Sequence, residues 1–261
     1  MTSLPKYHTG FSRDDLGVDP PRLALLSGDP ERARRIAVET EGVRLERCLS
    51  EGRGLHTYLA ALLDGRRFLS ATSGMGGPSL SIVVNELYQV GIRHFIRVGT
   101  SGSISEEIKP GSVVIAKAAL CRQGAAEDIA PMEYPAAADP FITVALVEAA
   151  RKLGVDCHLG ITASTDTFYE GQERTASSAN PYLLRRLQGI TEEYRRLNIA
   201  NYEMEAGTLF KMAGVYGFAA GCVCAVLAGR TVGEDVLLAL KRKAETDAIR
   251  VALQAVMDLE F

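Results

Sequence analysis

The chain has 261 residues, of which 47% are hydrophobic and 23% are charged, values close to the average for soluble globular proteins. Its 29 basic and 32 acidic side chains leave a formal net charge of −3, whereas a nonspecific binder of nucleic acid or of anionic membranes would carry a basic surplus. The composition therefore argues against those two classes, and a chain of this length is expected to fold without a disulfide or a metal.

Apolar runs of strand length alternate with segments of helical periodicity. The first half of the chain predicts three strands: 22–27, 67–73 and 94–98. Asp29 and Pro30 are favourable N-cap and first-turn residues, and they predict a helix that extends to about Ala37. Apolar residues at helical spacing after the second strand predict another helix that stops at Gly91.

The second half of the chain continues the alternation. Strands are predicted at 112–116, 158–163 and 218–227, and helices at 141–153, 181–197, 203–215 and 234–259. Repeated β-loop-α-β units are typical of α/β proteins, and no internal repeat or Pro/Ser-rich linker divides the sequence. We therefore predict a single α/β domain over residues 1–261, with a mainly parallel or mixed central sheet flanked by helices on both faces.

The cysteines and the apolar segments predict a cytoplasmic protein. Five scattered cysteines without C-x-x-C spacing are typical of a reducing compartment. The first six residues lack the apolar core of a signal peptide, and the apolar run 218–228 is too short to span a bilayer.

Three predicted strand ends combine glycine with arginine or hydroxyl groups. After the first strand, Gly28 lets the backbone approach a ligand, and Arg32 lies on the first turn of the next helix. The second strand ends in the glycine-rich segment 74–79, and the third is followed by Thr100, close to Arg97. Each feature alone is more commonly structural, but together at one sheet edge they predict an anion site. Because the motifs for ATP and dinucleotides are missing, inorganic phosphate is the expected anion.

A polar pair further along the chain matches the edge of a pyrimidine. Gln172 and Arg174 are two residues apart and would project in the same direction from an extended segment. An amide both donates and accepts while a guanidinium only donates, and uracil presents an N–H between carbonyl groups. Phe168 could stack on such a base. From spacing alone, an ordinary polar surface loop is the more common explanation.

Acidic residues mark the predicted strand-to-helix junction at 201–205. A carboxylate such as Glu205 can accept hydrogen bonds from two vicinal ribose hydroxyls, although helix N-termini also favour acidic residues for electrostatic reasons. His56, His94 and His158 have no partners at metal-ligand spacing. We therefore predict structural roles for these three histidines and no metal site.

Six motifs in order, spread over nearly the whole chain, resemble the nucleoside phosphorylase-I family. They are 27–30, 73–81, 97–104, 166–174, 201–205 and 229–231. The resemblance implies a nucleoside phosphorylase-like fold and the reversible, phosphate-dependent cleavage of a nucleoside to its base and ribose 1-phosphate. The Gln172-x-Arg174 pair points to the pyrimidine branch of the family, with uridine as the expected substrate and deoxyuridine or thymidine left open.

The resemblance also implies a role for each matching residue. The expected phosphate ligands are Gly28, Arg32, Arg53, Arg97 and Thr100, the ribose ligands are His8, Met204 and Glu205, and the base ligands are Phe168, Gln172, Arg174 and Arg230. Arg174, Gln172, Glu205 and Arg97 are expected to be catalytic. In the family, His8 and Arg53 serve a neighbouring subunit, which implies at least a homodimer and, by resemblance, a hexamer built as a trimer of dimers.

Two departures from the family pattern affect these expectations. Gly54 stands where related bacterial enzymes carry a glutamate that binds a monovalent cation at the dimer interface, which leaves that cation site in doubt. No other cofactor is implied, since phosphate is a co-substrate. The loop 232–238 also differs, which leaves the breadth of base and sugar specificity open.

Three alternatives remain open at this point. A purine nucleoside phosphorylase would carry an acidic residue facing N7 of the base instead of Gln172 and Arg174. A nucleoside hydrolase would use water and lack Arg32, Arg53 and Arg97. A catalytically silent nucleoside-binding protein would have lost some of the phosphate ligands, all of which are present.

Overall fold

The computed structural model describes residues 4–229 and 238–259, which contain nine strands and seven α-helices. The strands are β1 (Leu23–Ser27), β2 (Val43–Ser50), β3 (Thr57–Leu62), β4 (Arg67–Thr72), β5 (His94–Ser103), β6 (Val113–Arg122), β7 (Cys157–Thr165), β8 (Ile199–Glu203) and β9 (Ala219–Gly229). The helices are α1 (Pro30–Arg34), α2 (Gly77–Gln89), α3 (Gly124–Glu127), α4 (Pro140–Lys152), α5 (Ile190–Arg196), α6 (Ala206–Tyr216) and α7 (Leu238–Asp258).

All nine strands belong to one mixed sheet, in the order β2-β3-β4-β1-β5-β8-β7-β6-β9. β9 also pairs with β5, so β5, β8, β7, β6 and β9 close into a ring, from which β1, β4, β3 and β2 extend. The pairs β1–β4, β1–β5, β5–β9, β6–β7 and β7–β8 are parallel, whereas β2–β3, β3–β4, β5–β8 and β6–β9 are antiparallel. The prediction of an α/β protein with a mixed sheet is confirmed.

Alternate side chains of the central strands enter two different hydrophobic cores. On β5, Ile96 and Val98 pack with side chains of α4 and α7, whereas Phe95 packs with side chains of α2 and α6. Successive side chains of a strand point to opposite faces, so the helices cover both faces of the sheet, as predicted. Arg97, the fourth residue of this ten-residue strand, shares the orientation of Phe95.

The predicted elements are confirmed in large part. The start of α1 is as expected, since the Asp29 side chain accepts the N–H of Glu31 and Pro30 opens the helix. The α-helix ends at Arg34, however, and the chain continues as a π-helical turn to Glu39.

Other predictions need correction. The helix expected over 181–197 is wrong in its first half, because α5 begins only after Gly189, whose φ of 76° is left-handed. The helix expected from Glu203 begins at Ala206, because Glu203 is the last residue of β8. The strands β2 and β3 have no counterpart among the predicted elements, and β8 was expected only as the strand side of the junction at 201–205, without bounds. β2 is an edge strand with mainly exposed side chains, which makes its periodicity weak.

Two sequence-based expectations are not decided by this architecture. The assignment of residues 1–261 to a single domain stays a prediction, although one sheet organises the described residues. Most of the divergent loop 232–238 lies outside the described residues. Among the helices that the structure describes, none is both long enough and apolar enough to cross a membrane.

Candidate active site

A cavity of about 530 Å³ is lined by residues near the carboxyl ends of β1, β5, β7, β8 and β9. Nine of the predicted site residues line it: Gly28, Arg32, Arg97, Thr100, Phe168, Gln172, Arg174, Met204 and Glu205. The rest of the wall is formed by Asp29, Pro30, Met75, Ser101, Gly102, Tyr202, Glu203, Leu227 and Ala228. Most of the residues predicted for the anion, the sugar and the base therefore meet in one cavity.

Arg97 is the centre of a buried ion cluster in this wall. The residue is 4% exposed, its Nε donates to a Glu203 oxygen at 3.0 Å, and its Nη2 pairs with Glu205. Burial acts to lower the pKa of Arg97, but the two carboxylates raise it above its ordinary value. The guanidinium therefore stays charged, and because an unpaired buried charge costs several kcal/mol, the cluster holds it in place.

The two carboxylates of the cluster also organise the backbone around them. Glu203 accepts the N–H groups of Glu205 and Ala206, both at 2.8 Å, and the hydroxyl of Ser164. Glu205 accepts the N–H of Gly76, in the glycine-rich segment that precedes α2. The start of α6, the ends of β7 and β8, and the entry to α2 are thus joined through one set of charges.

Glu205 is suited to bind hydroxyl groups. Burial and the neighbouring charge of Glu203 raise the pKa of Glu205, and Arg97 opposes this effect without cancelling it. A buried carboxylate with a raised pKa gains from further hydrogen-bond donors. The vicinal hydroxyls of a ribose are donors of this kind, and Met204 lines the cavity beside Glu205.

Two buried guanidinium nitrogens, which belong to arginines that line the cavity, have no hydrogen-bond partner within residues 4–229 and 238–259. They are Nε of Arg32 and Nη1 of Arg97. The other two nitrogens of the Arg32 guanidinium have partners: Nη1 donates to Ser27 Oγ at 3.4 Å, and Nη2 donates to Glu245 Oε1 at 2.9 Å. Because buried donors are normally paired, these two nitrogens are suited to bind an anion in the cavity.

The side chains of Gln172 and Arg174 lie together, as expected, but not because they project from an extended segment. The segment is a turn in which Glu173 has a left-handed φ of 53°, so the expected extended segment is wrong. Arg174 Nε donates to Gln172 Oε1 at 3.3 Å, and both side chains are buried. The Arg174 guanidinium lies 4.0 Å from the centre of the Phe168 ring. Burial lowers the pKa of Arg174 from a very high ordinary value, which leaves it a cation at neutral pH.

His8 and Arg53 do not line the cavity of their own chain. The backbone N–H of His8 donates to Oε1 of Glu86, on α2, at 3.0 Å. The Nδ1 atom of the His8 ring lies 2.7 Å from the same oxygen. Arg53 is exposed, and its guanidinium lies 5.1 Å from the centre of the Tyr7 ring. Tyr7 of the N-terminal segment and Arg53 thus contact each other at the surface, and His8 and Arg53 are not among the lining residues.

The expectations for Arg230 and for metals and cofactors are not decided by the structure. Arg230, predicted at the base, lies outside the described residues. Within the described ranges, no group of three or more His, Cys, Asp or Glu side chains could hold a metal ion. The expected absence of a metal or organic cofactor stays a prediction.

Sequence reasoning missed several residues that shape the cavity. Glu203 and Tyr202 belong to the motif that contains Glu205, but they were given no role of their own. Gln123 was not considered, although its buried amide donates to the Met204 carbonyl and accepts the N–H of Thr208 at 2.9 Å. The position of Glu203 at a strand end, two residues before Glu205, is the signal that could have identified it.

Comparison with known proteins places this cavity in a family. The model of the phosphorylase superfamily matches residues 22–258, a range that contains all of the cavity-lining residues. The chain belongs to the phosphorylase superfamily.

The relatives within the superfamily match almost end to end. The uridine phosphorylase of Salmonella typhimurium is 39% identical over 256 residues, which cover 98% of each chain. The uridine phosphorylase of Thermococcus kodakarensis is 40% identical over 251 residues, which cover 96% of this chain and 85% of the relative. The guanosine phosphorylase of Halorubrum lacusprofundi is 31% identical over 248 residues, which cover 92% of this chain and 95% of the relative.

A substitution at Gly99 tests whether packing against this glycine sets the position of Arg97 in the cavity. A Cβ at Gly99 would lie 2.7 Å from Arg97 Nη2 and 2.9 Å from Cys224 Sγ, closer than side chains tolerate. Gly99→Ala should therefore displace the guanidinium and, if the expected phosphate site is correct, weaken the binding of inorganic phosphate by about tenfold or more. Isothermal titration calorimetry with phosphate measures this effect.

Gly124→Ala is the matched control, because a Cβ there meets only Asp166 at an ordinary 3.6 Å. The control should bind phosphate like the wild type. Wild-type phosphate affinity in Gly99→Ala would contradict the inference that packing against Gly99 sets the position of Arg97.

Proposed function

We propose that this chain is a pentosyltransferase that cleaves uridine with inorganic phosphate, reversibly, to uracil and ribose 1-phosphate, in the salvage of pyrimidine nucleosides. Its Salmonella and Thermococcus relatives are named uridine phosphorylases, which supports the proposal. The observation that carries the proposal is that the amide–arginine pair Gln172 and Arg174 shares one cavity with Arg32, Arg97 and Glu205. Phosphate, ribose and pyrimidine each find matching groups in it.

The phosphate end of the proposed site is formed by Gly28, Arg32, Arg97 and Thr100. The two unpartnered guanidinium nitrogens supply charged donors, and the Thr100 hydroxyl and the backbone at Gly28 lie in the same wall. Charge-assisted bonds of this type are about twice as strong as neutral ones. They would hold phosphate in the orientation needed to attack the sugar.

The ribose would lie between the phosphate and the base, against Met204 and Glu205. Glu205 is held by Arg97 and Gly76, so its free acceptor capacity has a defined direction. Hydrogen bonds from the 2′- and 3′-hydroxyls to this carboxylate would present C1′ to the phosphate, and such positioning contributes several kcal/mol to catalysis.

The base end of the proposed site stabilises the leaving group. As the C1′–N1 bond breaks, negative charge develops on the uracil oxygens, and Gln172 and Arg174 can donate hydrogen bonds to them. Phe168 packs against Arg174 and lines the cavity beside the base position.

In the proposed reaction, a phosphate oxygen forms a bond to C1′ with inversion while the electron pair of the C1′–N1 bond moves to uracil. The uracil anion then takes up a proton that hydrogen phosphate gives up, by way of water. No side-chain nucleophile and no metal takes part, so phosphate is a co-substrate and we propose no cofactor.

We propose that the functional unit is a homodimer, and that three dimers form a hexamer. His8 and Arg53 lie outside the cavity of their own chain, whereas Met75 lines the cavity and is 82% exposed, as expected of a residue covered by a second copy. The two arginines of the cavity wall, Arg32 and Arg97, already pair with three carboxylates: Glu245 behind the wall, and Glu203 and Glu205 in it. A further arginine from a partner would supply positive charge for the phosphate.

We also propose that the enzyme acts in the cytoplasm. All five cysteines are free: Cys48, Cys121, Cys157, Cys222 and Cys224. Unpaired thiols are typical of a reducing compartment, and the nucleoside and phosphate substrates are small, soluble molecules.

The proposed activity is tested by incubating the chain with uridine, thymidine, inosine or guanosine, each with and without phosphate, and separating the products by chromatography. Uracil should be released only when phosphate is present, together with ribose 1-phosphate. Release without phosphate would indicate a hydrolase, purine-selective turnover a purine phosphorylase, and no turnover a binding protein. Each of these three outcomes would refute the proposal.

Arg174→Ala tests the role of Arg174 at the base end of the proposed site. Loss of a donor to the developing anion should lower kcat for uridine about 100-fold, with little change in the KM for phosphate. Steady-state kinetics with each substrate varied in turn separates the two effects. Arg186→Ala is the matched control, because it removes an exposed arginine from the same β7–β8 connection. It should leave the kcat for uridine and the KM for phosphate unchanged. Wild-type turnover in Arg174→Ala would exclude this role.

The shared site is tested by mixing inactive variants. Arg53→Ala and Arg97→Ala should each be nearly inactive, but a heterodimer contains one intact site, so random reassembly should restore about a quarter of the wild-type activity. A mixture of Arg97→Ala with Arg174→Ala is the control, because both residues belong to the same chain's cavity, and it should restore none. If the first mixture stays inactive, Arg53 does not serve a neighbouring site.

A further inference from the structure

A single buried carboxylate holds two arginines of α1 and the turn that follows it. Glu245, on α7, is 6% exposed, and its Oε1 accepts Arg32 Nη2 at 2.9 Å while its Oε2 accepts Arg35 Nη1 at 2.8 Å. Arg32 is as buried as Glu245, whereas Arg35 is partly exposed. The carboxylate therefore bridges two cations that come from a distant part of the chain.

The charge state of this bridge is well defined. Burial acts to raise the pKa of Glu245, but the two guanidinium groups outweigh it and hold the pKa below its ordinary value. The carboxylate is consequently ionised throughout the neutral range. The bridge occupies Arg32 Nη2, and Ser27 lies at Nη1, so the nitrogen of Arg32 left without a described partner is Nε.

We propose that Glu245 is a positioning residue for phosphate: it fixes Arg32 so that the Nε side of the guanidinium is presented to the substrate anion. This inference rests on the proposed function, because it assigns Glu245 to the phosphate end of that site. Glu245 does not line the cavity, so it acts through Arg32 and not by contact with the substrate.

The electrostatics of the bridge decide the direction of the effect. Without the carboxylate, the guanidinium groups of Arg32 and Arg35 would repel each other. The Arg32 charge would also be buried without a counter-ion, which is strongly unfavourable. Arg32 would then leave its present orientation. A role as a simple counter-charge predicts the opposite, since removing a negative charge near the site would strengthen phosphate binding.

The test compares Glu245→Gln, Glu245→Asp and the wild type in uridine phosphorolysis. Glu245→Gln should raise the KM for phosphate about tenfold, the size of one lost charge-assisted hydrogen bond, and leave the KM for uridine within about twofold. Glu245→Asp keeps the charge at a shorter reach and should restore part of the difference. The phosphate-dependent rise in Tm, which reports binding without turnover, should shrink in the same order.

Asp247→Asn is the matched control. Asp247 is a buried acid on the same helix, but it pairs with Lys243 and Arg250 instead of Arg32. Its loss removes the same charge and should leave the KM for phosphate unchanged.

The outcomes separate the inference from the proposed function. Absence of phosphate-dependent turnover in the wild type would refute the proposed function and, with it, the assignment of Glu245. An active wild type combined with an unchanged or lower KM for phosphate in Glu245→Gln would overturn the inference alone. If Glu245→Gln does not fold, an unchanged KM for phosphate in Glu245→Asp, with its shortened reach, overturns it equally.

Discussion

The ion cluster of Arg97, Glu203 and Glu205 is the interaction on which the organisation of the cavity depends. A buried guanidinium is tolerated only where carboxylates surround it and hydrogen bonds satisfy the remaining polar atoms. Here the carboxylates also accept backbone N–H groups at the start of α6 and at Gly76. The same charges therefore stabilise the ends of several elements and orient the groups that face the cavity.

This arrangement explains how a site for an anion can exist in a chain with a net charge of −3. Arg97 is neutralised by Glu203 and Glu205, and Arg32 by Glu245. Each guanidinium still has one nitrogen without a partner among the described residues. The site is thus preorganised by its ion pairs and keeps charged donors for a ligand, which reduces the reorganisation that binding requires.

The chemistry of the cavity could be predicted from the sequence more fully than its geometry. Glycine, arginine and hydroxyl groups after strands are informative because ligands bind at the carboxyl ends of strands in α/β folds. The extended form expected for Gln172–Arg174 is wrong, since the two side chains meet across a turn with a left-handed Glu173. The bounds of the strand β8 could not be predicted, because its five residues include two polar ones, Asn201 and Glu203, that only tertiary partners allow to be buried.

The sequence by itself determined which residue types follow each strand, where α1 begins, and the alternation that sends side chains to two cores, because these depend on local backbone preferences and periodicity. Only the tertiary structure decided which charges pair. Arg32 and Glu245 are 213 residues apart, and Arg97 and Glu203 are 106 apart. It also decided that β9 returns to β5 and closes the ring. Pairing across such distances follows from how elements pack, and no local pattern in the chain encodes it.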